Sequence, residues 1–199
     1  MPQLADRSLD EIAAMLEAAA AEAGALAMRW FRPGAPTAAR TDYKSGGSPV
    51  TEADLAVDAF LMERLRALFP GAGWLSEETA DSADRLARDM VLVVDPIDGT
   101  RGFADGDGRW GVSVALVLAG RPIAGVIDAP AIGERYVATL GRGAFLHGAP
   151  IRLSTEGRLS GGRLAGPPQM GAKVARGLAM ALVPKIPSLA VRFAHVAAS

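Results

Sequence analysis

Val91-Leu92-Val93-Val94-Asp95-Pro96-Ile97-Asp98-Gly99-Thr100 joins an apolar, largely β-branched run directly to two carboxylates, a glycine and a hydroxyl. The run suits a strand covered on both faces, and Pro96, which has no backbone N–H, is expected to stop the ladder. Polar chemistry is thereby delivered to the C-terminal end of a buried strand, where open α/β sheets place their ligands. Asp95 and Asp98 are close enough in a sharp turn for both carboxylates to bind hard cations such as Mg²⁺, which take oxygen ligands, and Ile97 offers its carbonyl. Gly99 lets the backbone approach an anion closely. The amides of Gly99 and Thr100, if they open a helix, direct partial positive charge at a phosphate. A lone Asp-Gly is more often an ordinary turn, but six residues in this order are a stronger signal.

Upstream residues add to this constellation. Glu77 and Glu78 follow the Gly71-Ala72-Gly73 turn and a short apolar stretch. A carboxylate from such a neighbouring strand end is what a two-metal phosphoryl-transfer site requires, although an adjacent Glu pair alone is more often a solvated helix start. Further back, Thr51 and Asp54 have capping-box spacing, with Asp in place of the usual Glu or Gln. They open a helix whose expected apolar face is Leu55, Phe60, Leu61, Leu65 and Leu68. Asp54 is thus a helix cap, a base that orients the Thr100 hydroxyl and an attacking water, or both.

In this order the segments resemble the inositol monophosphatase superfamily of Mg²⁺-dependent, lithium-sensitive phosphomonoesterases. The likeness rests on Lys44, on Pro49-Val50-Thr51-Glu52-Ala53-Asp54, on Ser76-Glu77-Glu78, and on Asp95 to Thr100 followed by Phe103. It implies a layered αβαβα sandwich of the α+β or α/β class, with N-terminal helices packed on an antiparallel sheet. It also implies that Glu77, Asp95 and the Ile97 carbonyl hold one Mg²⁺, and that Asp95 with Asp98 holds a second. Asp54, Thr100 and Glu77 become the expected catalytic residues, and Gly99, Thr100 and Asp98 the expected substrate contacts. The superfamily's later Trp-Asp metal motif has no match, since Trp30 precedes Phe31, Trp74 precedes Leu75 and Trp110 precedes Gly111. The likeness therefore implies a C-terminally truncated member with an incomplete second α/β domain.

Within the superfamily, Ser48-Pro49-Val50-Thr51, Leu75-Ser76-Glu77-Glu78 and Arg101-Gly102-Phe103 look closer to the 3′(2′),5′-bisphosphate nucleotidase (CysQ-like) branch. Gly102 stands where inositol phosphatases usually carry Asn. An inositol-1-phosphate phosphatase, a sugar bisphosphatase and a truncated remnant that binds metal without turnover are the alternatives.

Composition agrees with a globular enzyme fragment: 199 residues and 50% hydrophobic content are enough to bury a sizeable core. The absence of cysteine excludes disulfides and thiol catalysis. The lack of cysteine fits a cytoplasmic origin, and no signal peptide or membrane span is evident. Net charge is −1, but residues 42–109 carry 14 acidic and 7 basic side chains, whereas residues 151–199 carry 1 and 7. An acidic centre suits divalent cations. The basic end suits a small phosphorylated metabolite or is a solvated helix face. Without a basic stripe interleaved with aromatics, a nucleic-acid polymer is not an expected partner, nor is a membrane. A homodimer is compatible with the chain.

The remaining elements follow from periodicity. Ser8-Leu9-Asp10-Glu11 reads as a capping box opening an Ala-rich helix to about Phe31. Residues 40–49 read as a mobile polar loop carrying Lys44. Strands are expected at 112–118, 123–129 and 136–139, and helices at 170–182 and 188–198. The Gly-rich stretch 157–166 marks a domain boundary, giving an N-terminal metal-binding domain over 1–155 and a partial C-terminal domain over 156–199. His147 and His195 lie in no catalytic motif and are expected to be structural.

Overall fold

A computed structural model describes residues 7–153 and 159–198. The expected boundary at 155/156 and the first part of the linker lie outside the described residues. Helix α1 (Leu9–Ala27) opens with the capping box: the Ser8 side chain accepts the Glu11 N–H, and Glu11 Oε2 accepts the Ser8 N–H at 2.7 Å. Its buried stripe is mostly alanine, namely Ala13, Ala19, Ala20, Ala23 and Ala27 around Ile12 and Leu16, and small side chains let the helix lie close to the sheet. The helix ends at Ala27, short of Phe31, because the chain turns through Met28–Trp30.

The 40–49 stretch is a hairpin rather than a loose loop. Strands β1 (Thr41–Tyr43) and β2 (Pro49–Thr51) pair antiparallel, with Gly47 taking the left-handed turn conformation. Helix α2 (Glu52–Leu68) follows directly. Its buried face is Ala53, Asp54, Val57, Asp58, Leu61 and Leu65, an i, i+4 stripe that leaves Leu55 outside with half its surface exposed. Two carboxylates therefore sit on the face that packs toward the sheet.

That sheet has seven strands in the order β3-β4-β5-β6-β7-β8-β9. They are β3 (Gly73–Ser76), β4 (Met90–Asp98), β5 (Gly111–Leu118), β6 (Arg121–Ala129), β7 (Glu134–Thr139), β8 (Gly143–Leu146) and β9 (Ala149–Ile151). All neighbours are antiparallel except β3 and β4, so the sheet is mixed. The parallel pair arises because the chain returns from β3 through a 3₁₀ turn (Ala83–Ala87) before β4 begins. Leu92, Val94, Val112, Val114, Leu116 and Val126 face α1 and α2 and form one core with Ile12, Leu16, Leu61 and Leu65. Val91 and Val93, on the other face of β4, are only half-buried, so the strand is not covered equally on both sides.

Pro96 does not end β4. Asp95 pairs with Ser113 and Asp98 with Gly111, so three steps on β4 oppose two on β5, and the ladder resumes after one extra residue. Pro96 is tolerated because it falls within this bulge, where no ladder N–H is required. The bulge re-aims the end of the strand that carries Asp95 and Asp98.

Helix α3 (Thr100–Asp105) follows β4 at once. Further along the chain, β10 (Arg163–Ala165) pairs in parallel with β11 (Ala181–Val183), and α4 (Pro168–Gly177) lies between them. The expected 170–182 helix is thus shorter. It stops at Gly177, and the apolar residues 181–183 serve a strand instead. Helix α5 (Leu189–Ala197) is capped by Ser188, as the 188–198 periodicity predicts. Its Val191 lies against Gly111, on the face of β5 opposite Val112, so the sheet has helix on both sides. The layered α/β class expected from the sequence is the class observed.

Candidate active site

Three chain segments meet at the C-terminal end of β4. The β4–α3 turn is the first, with Gly99 as N-cap at φ +94°. An L side chain is strained in that conformation, and a Cβ at Gly99 would also lie 2.9 Å from the Ser188 backbone nitrogen. The turn thus needs glycine for two reasons. Helix α3 is anchored by Phe103, which is fully buried and meets Trp110 edge-on at 5.0 Å between ring centroids, with Phe31 at 5.7 Å. Gly102 also has a packing reason, since a Cβ there would lie 2.6 Å from Pro187 Cβ.

The second segment is the start of α2. Asp54 Oδ2 accepts the Thr51 N–H at 2.8 Å and the Thr51 hydroxyl at 2.5 Å, which completes the capping box. Its other oxygen, Oδ1, lies 3.0 Å from Thr100 Oγ1. The cap and the Thr100 contact foreseen for Asp54 therefore coexist, one on each oxygen. Burial raises its pKa, against the lowering effect of the Thr51 and Thr100 hydrogen bonds. Thr100 Oγ1 also lies 3.0 Å from the Ile97 carbonyl, so its single proton is shared between two acceptors.

The third segment is the end of β3. Lys44, from the β1–β2 hairpin, reaches Glu78 at 2.9 Å and Glu77 at 3.3 Å. Glu78 is the buried partner, with 4% of its side chain exposed against 50% for Glu77. Burial drives the Glu78 pKa up and outweighs the nearby ammonium. For Lys44 the balance is reversed: burial alone would lower its pKa, but the hydrogen bonds to the two glutamates raise it. Arg101 Nη2 meets the Gly47 carbonyl at 3.3 Å, tying the same hairpin to α3.

Asp58 went unnoticed in the sequence. It lies one turn beyond Asp54 on the buried face of α2 and accepts hydrogen bonds from the Ser76 and Thr79 hydroxyls. Ser76 Oγ in turn accepts the Glu78 N–H at 3.3 Å. The i, i+4 spacing from Asp54 was the available signal. Its loop partners, 18 and 21 residues away, were not legible.

Asp95 is the most perturbed group. Burial first, then the negative charges of Glu77 and Asp98, raise its pKa to about 8; a hydrogen bond with Glu77 and the charge of Asp54 act in the same direction. Asp98 turns one oxygen away from this cluster: Oδ2 accepts the Ser188 hydroxyl at 2.6 Å and the Ala190 N–H at 2.5 Å. His195 pairs with Glu134 at 2.7 Å and stands apart from the acidic cluster, in keeping with a structural role. His147 lines a separate cavity of about 250 Å³ beside α1.

The donor chemistry fits hard divalent cations: oxygen ligands only, with more negative charge than the segment's own cations neutralise. Among the described residues, however, no group of three or more His, Cys, Asp or Glu is placed to enclose a metal ion as it stands. Glu77 and Asp98 each lie close enough to Asp95 to act on its charge, and the Ile97 carbonyl is turned to Thr100.

The inositol monophosphatase family model matches residues 8–176. Among curated proteins, the chain is 35% identical over 143 residues to inositol monophosphatase 2 of Solanum lycopersicum, covering 70% of this chain and 54% of that protein. It is 40% identical over 111 residues to a histidinol-phosphatase of Chlorobaculum parvum (56% and 42% covered). It is 42% identical over 106 residues to the 3′(2′),5′-bisphosphate nucleotidase CysQ of Aggregatibacter actinomycetemcomitans (52% and 39% covered). The chain thus spans about half or less of the length of these relatives. Among solved structures, a Thermotoga maritima inositol monophosphatase superposes with a TM-score of 0.77 at 28% identity, over 94% of this chain and 71% of that one.

Proposed function

This chain belongs to the inositol monophosphatase family, and from that premise we propose that it is a Mg²⁺-dependent phosphoric monoester hydrolase acting on a small phosphorylated metabolite. The observation that carries the proposal is the Thr100–Asp54 contact at 3.0 Å beside the acidic cluster of Glu77, Asp95 and Asp98. Glu77, Asp95 and the Ile97 carbonyl would hold one Mg²⁺, and Asp95 with Asp98 a second. Such ions, when bound, lower the pKa of water and neutralise charge on the transferring phosphoryl group.

The protein's own groups supply the rest. Thr100 Oγ1 accepts a hydrogen bond from the attacking water and passes its own proton toward Asp54 Oδ1. The buried environment that raises the Asp54 pKa makes it a better base. Asp54 Oδ2, fixed by Thr51, keeps the carboxylate from rotating away. The Gly99 and Thr100 amides, at the start of α3, would bind the phosphate. We read the attack by water as direct: the protein has no cysteine, and His195 is paired to Glu134 away from the acidic cluster.

For the substrate we favour 3′(2′),5′-bisphosphate nucleotides, on the strength of the Ser48 to Thr51, Leu75 to Glu78 and Arg101 to Phe103 segments. The second reading is an inositol phosphate, favoured by the longer match to the tomato protein. Phosphate release from 3′-phosphoadenosine 5′-phosphate, inositol 1-phosphate and histidinol phosphate, each with Mg²⁺ and with chelator, tests both. The first substrate should be hydrolysed fastest and only with Mg²⁺. Faster hydrolysis of either other substrate overturns the preference. Calorimetry showing bound Mg²⁺ with no turnover of any of them would make the chain a metal-binding remnant.

A further inference from the structure

We propose that Ser188 is a positioning residue for Asp98, and that it couples the docking of α5 to the metal affinity of the site; this rests on the reading of Asp98 as a metal ligand. Ser188 is fully buried. Its hydroxyl has one proton to give, and gives it to Asp98 Oδ2 at 2.6 Å; the same oxygen atom of Ser188 accepts the Val191 N–H at 2.9 Å. Asp98 Oδ2 also receives the Ala190 N–H at 2.5 Å. One oxygen of Asp98 is therefore held by the first turn of α5, 90 residues away in sequence, and only Oδ1 is left for the acidic cluster. Both contacts to Oδ2 are charge-assisted, the strong class of hydrogen bond, and two donors from different atoms fix the plane of the carboxylate.

The backbone reinforces the arrangement. Gly99 approaches the Ser188 backbone so closely that no side chain fits between them, and the Ser188 N–H is bonded to the Arg109 carbonyl at 3.2 Å. The turn that carries Asp98 and the cap of α5 are thus packed as one unit. Outer partners of this kind orient a metal ligand, and their removal typically weakens metal binding about 10–100-fold. Linkage makes the effect reciprocal: if docking of α5 favours metal binding, metal binding stabilises the docked α5 by the same factor.

Ser188 also caps α5, so the test must separate the cap from the contact with Asp98. Both glycine and alanine lose the hydroxyl that meets Asp98, but glycine is tolerated as an N-cap and alanine is not, so a loss common to the two reports the contact rather than the cap. The measurement is Mg²⁺ titration by calorimetry on the full chain for wild type, Ser188→Gly, Ser188→Ala and Ser188→Thr, with hydrogen exchange of the Ala190 and Val191 amides with and without Mg²⁺. The expected result is affinity lowered about tenfold or more in both Ser188→Gly and Ser188→Ala, with recovery in Ser188→Thr, and slower exchange of the two amides when Mg²⁺ is added to wild type. Unchanged affinity in Ser188→Gly alongside normal binding by wild type overturns the positioning role and leaves the metal reading intact. Absence of Mg²⁺ binding by wild type overturns the metal reading and this inference with it.

Discussion

Thr100 Oγ1 and Asp54 Oδ1 lie 3.0 Å apart, although 46 residues separate them in the chain. The contact joins the first turn of α2 to the first turn of α3, and it uses the one oxygen of Asp54 that the capping box leaves free. Secondary structure and candidate chemistry thus draw on the same carboxylate.

Substituting either partner should slow phosphate release while the fold persists. Asp54→Asn and Thr100→Val are each expected to lower kcat by about 10²–10⁴-fold, the usual contribution of a positioned acid–base group. Because the two act as a unit, the double variant should be little slower than the worse single one. Additive losses would mean that the contact is structural only.

Asp95→Asn should have opposite effects on activity and stability. Mg²⁺-dependent hydrolysis should be abolished, and near-normal turnover in this variant would sink the assignment. In the chelated wild-type protein, Asp95 titrates near 8 when folded and near the ordinary 3.8 when unfolded. Between these values the folded state binds more protons, so stability is greatest at the acid end of the window and falls as pH rises through it. Asn removes that loss, so metal-free Asp95→Asn should be roughly 1–3 kcal/mol more stable than wild type at pH 8. Urea unfolding with chelator at pH 5 and pH 8 measures the difference, and no gain at pH 8 refutes it.

Gly99→Ala should destabilise the protein by about 2 kcal/mol or more, because alanine is strained at φ +94° and its Cβ would press on the Ser188 backbone. The melting temperature should fall by several degrees. Gly120→Ala, also at positive φ but with open space around it, is the control, expected to lose only the conformational part.

Phe103→Ala should cost about 3–5 kcal/mol, the range for emptying a large aromatic site in a core. It should also lower kcat, since Phe103 packs with Phe31 and Trp110 to hold the helix that begins at Thr100. Phe103→Leu, which refills most of the volume, should recover most of the activity; failure to do so would mean that α3 is placed by other contacts.

The sequence by itself determined what depends on neighbours along the chain. Both capping boxes, at Ser8 and Thr51, were legible because each links residues three apart, and β4 with its Asp95 to Thr100 terminus was legible because an apolar run meets a polar turn. The order of these segments was enough to identify the family. Misreadings came where a pattern fits two structures. Residues 181 and 182 ended a plausible helix until pairing with β10 made them part of a strand, and Leu55 fell on an assumed stripe that packing set one step aside. Pro96 was a strand stop in the sequence and a bulge in the sheet, since only a partner strand can supply the compensating register shift. Tertiary structure alone decided that Asp58 ties down the loop of Glu77 and Glu78, that Gly102 yields to Pro187, and that Ser188 holds Asp98. Each of these joins groups 18 or more residues apart, and no local periodicity carries that information; the distances exist only once the core has brought α2, β4 and α5 together.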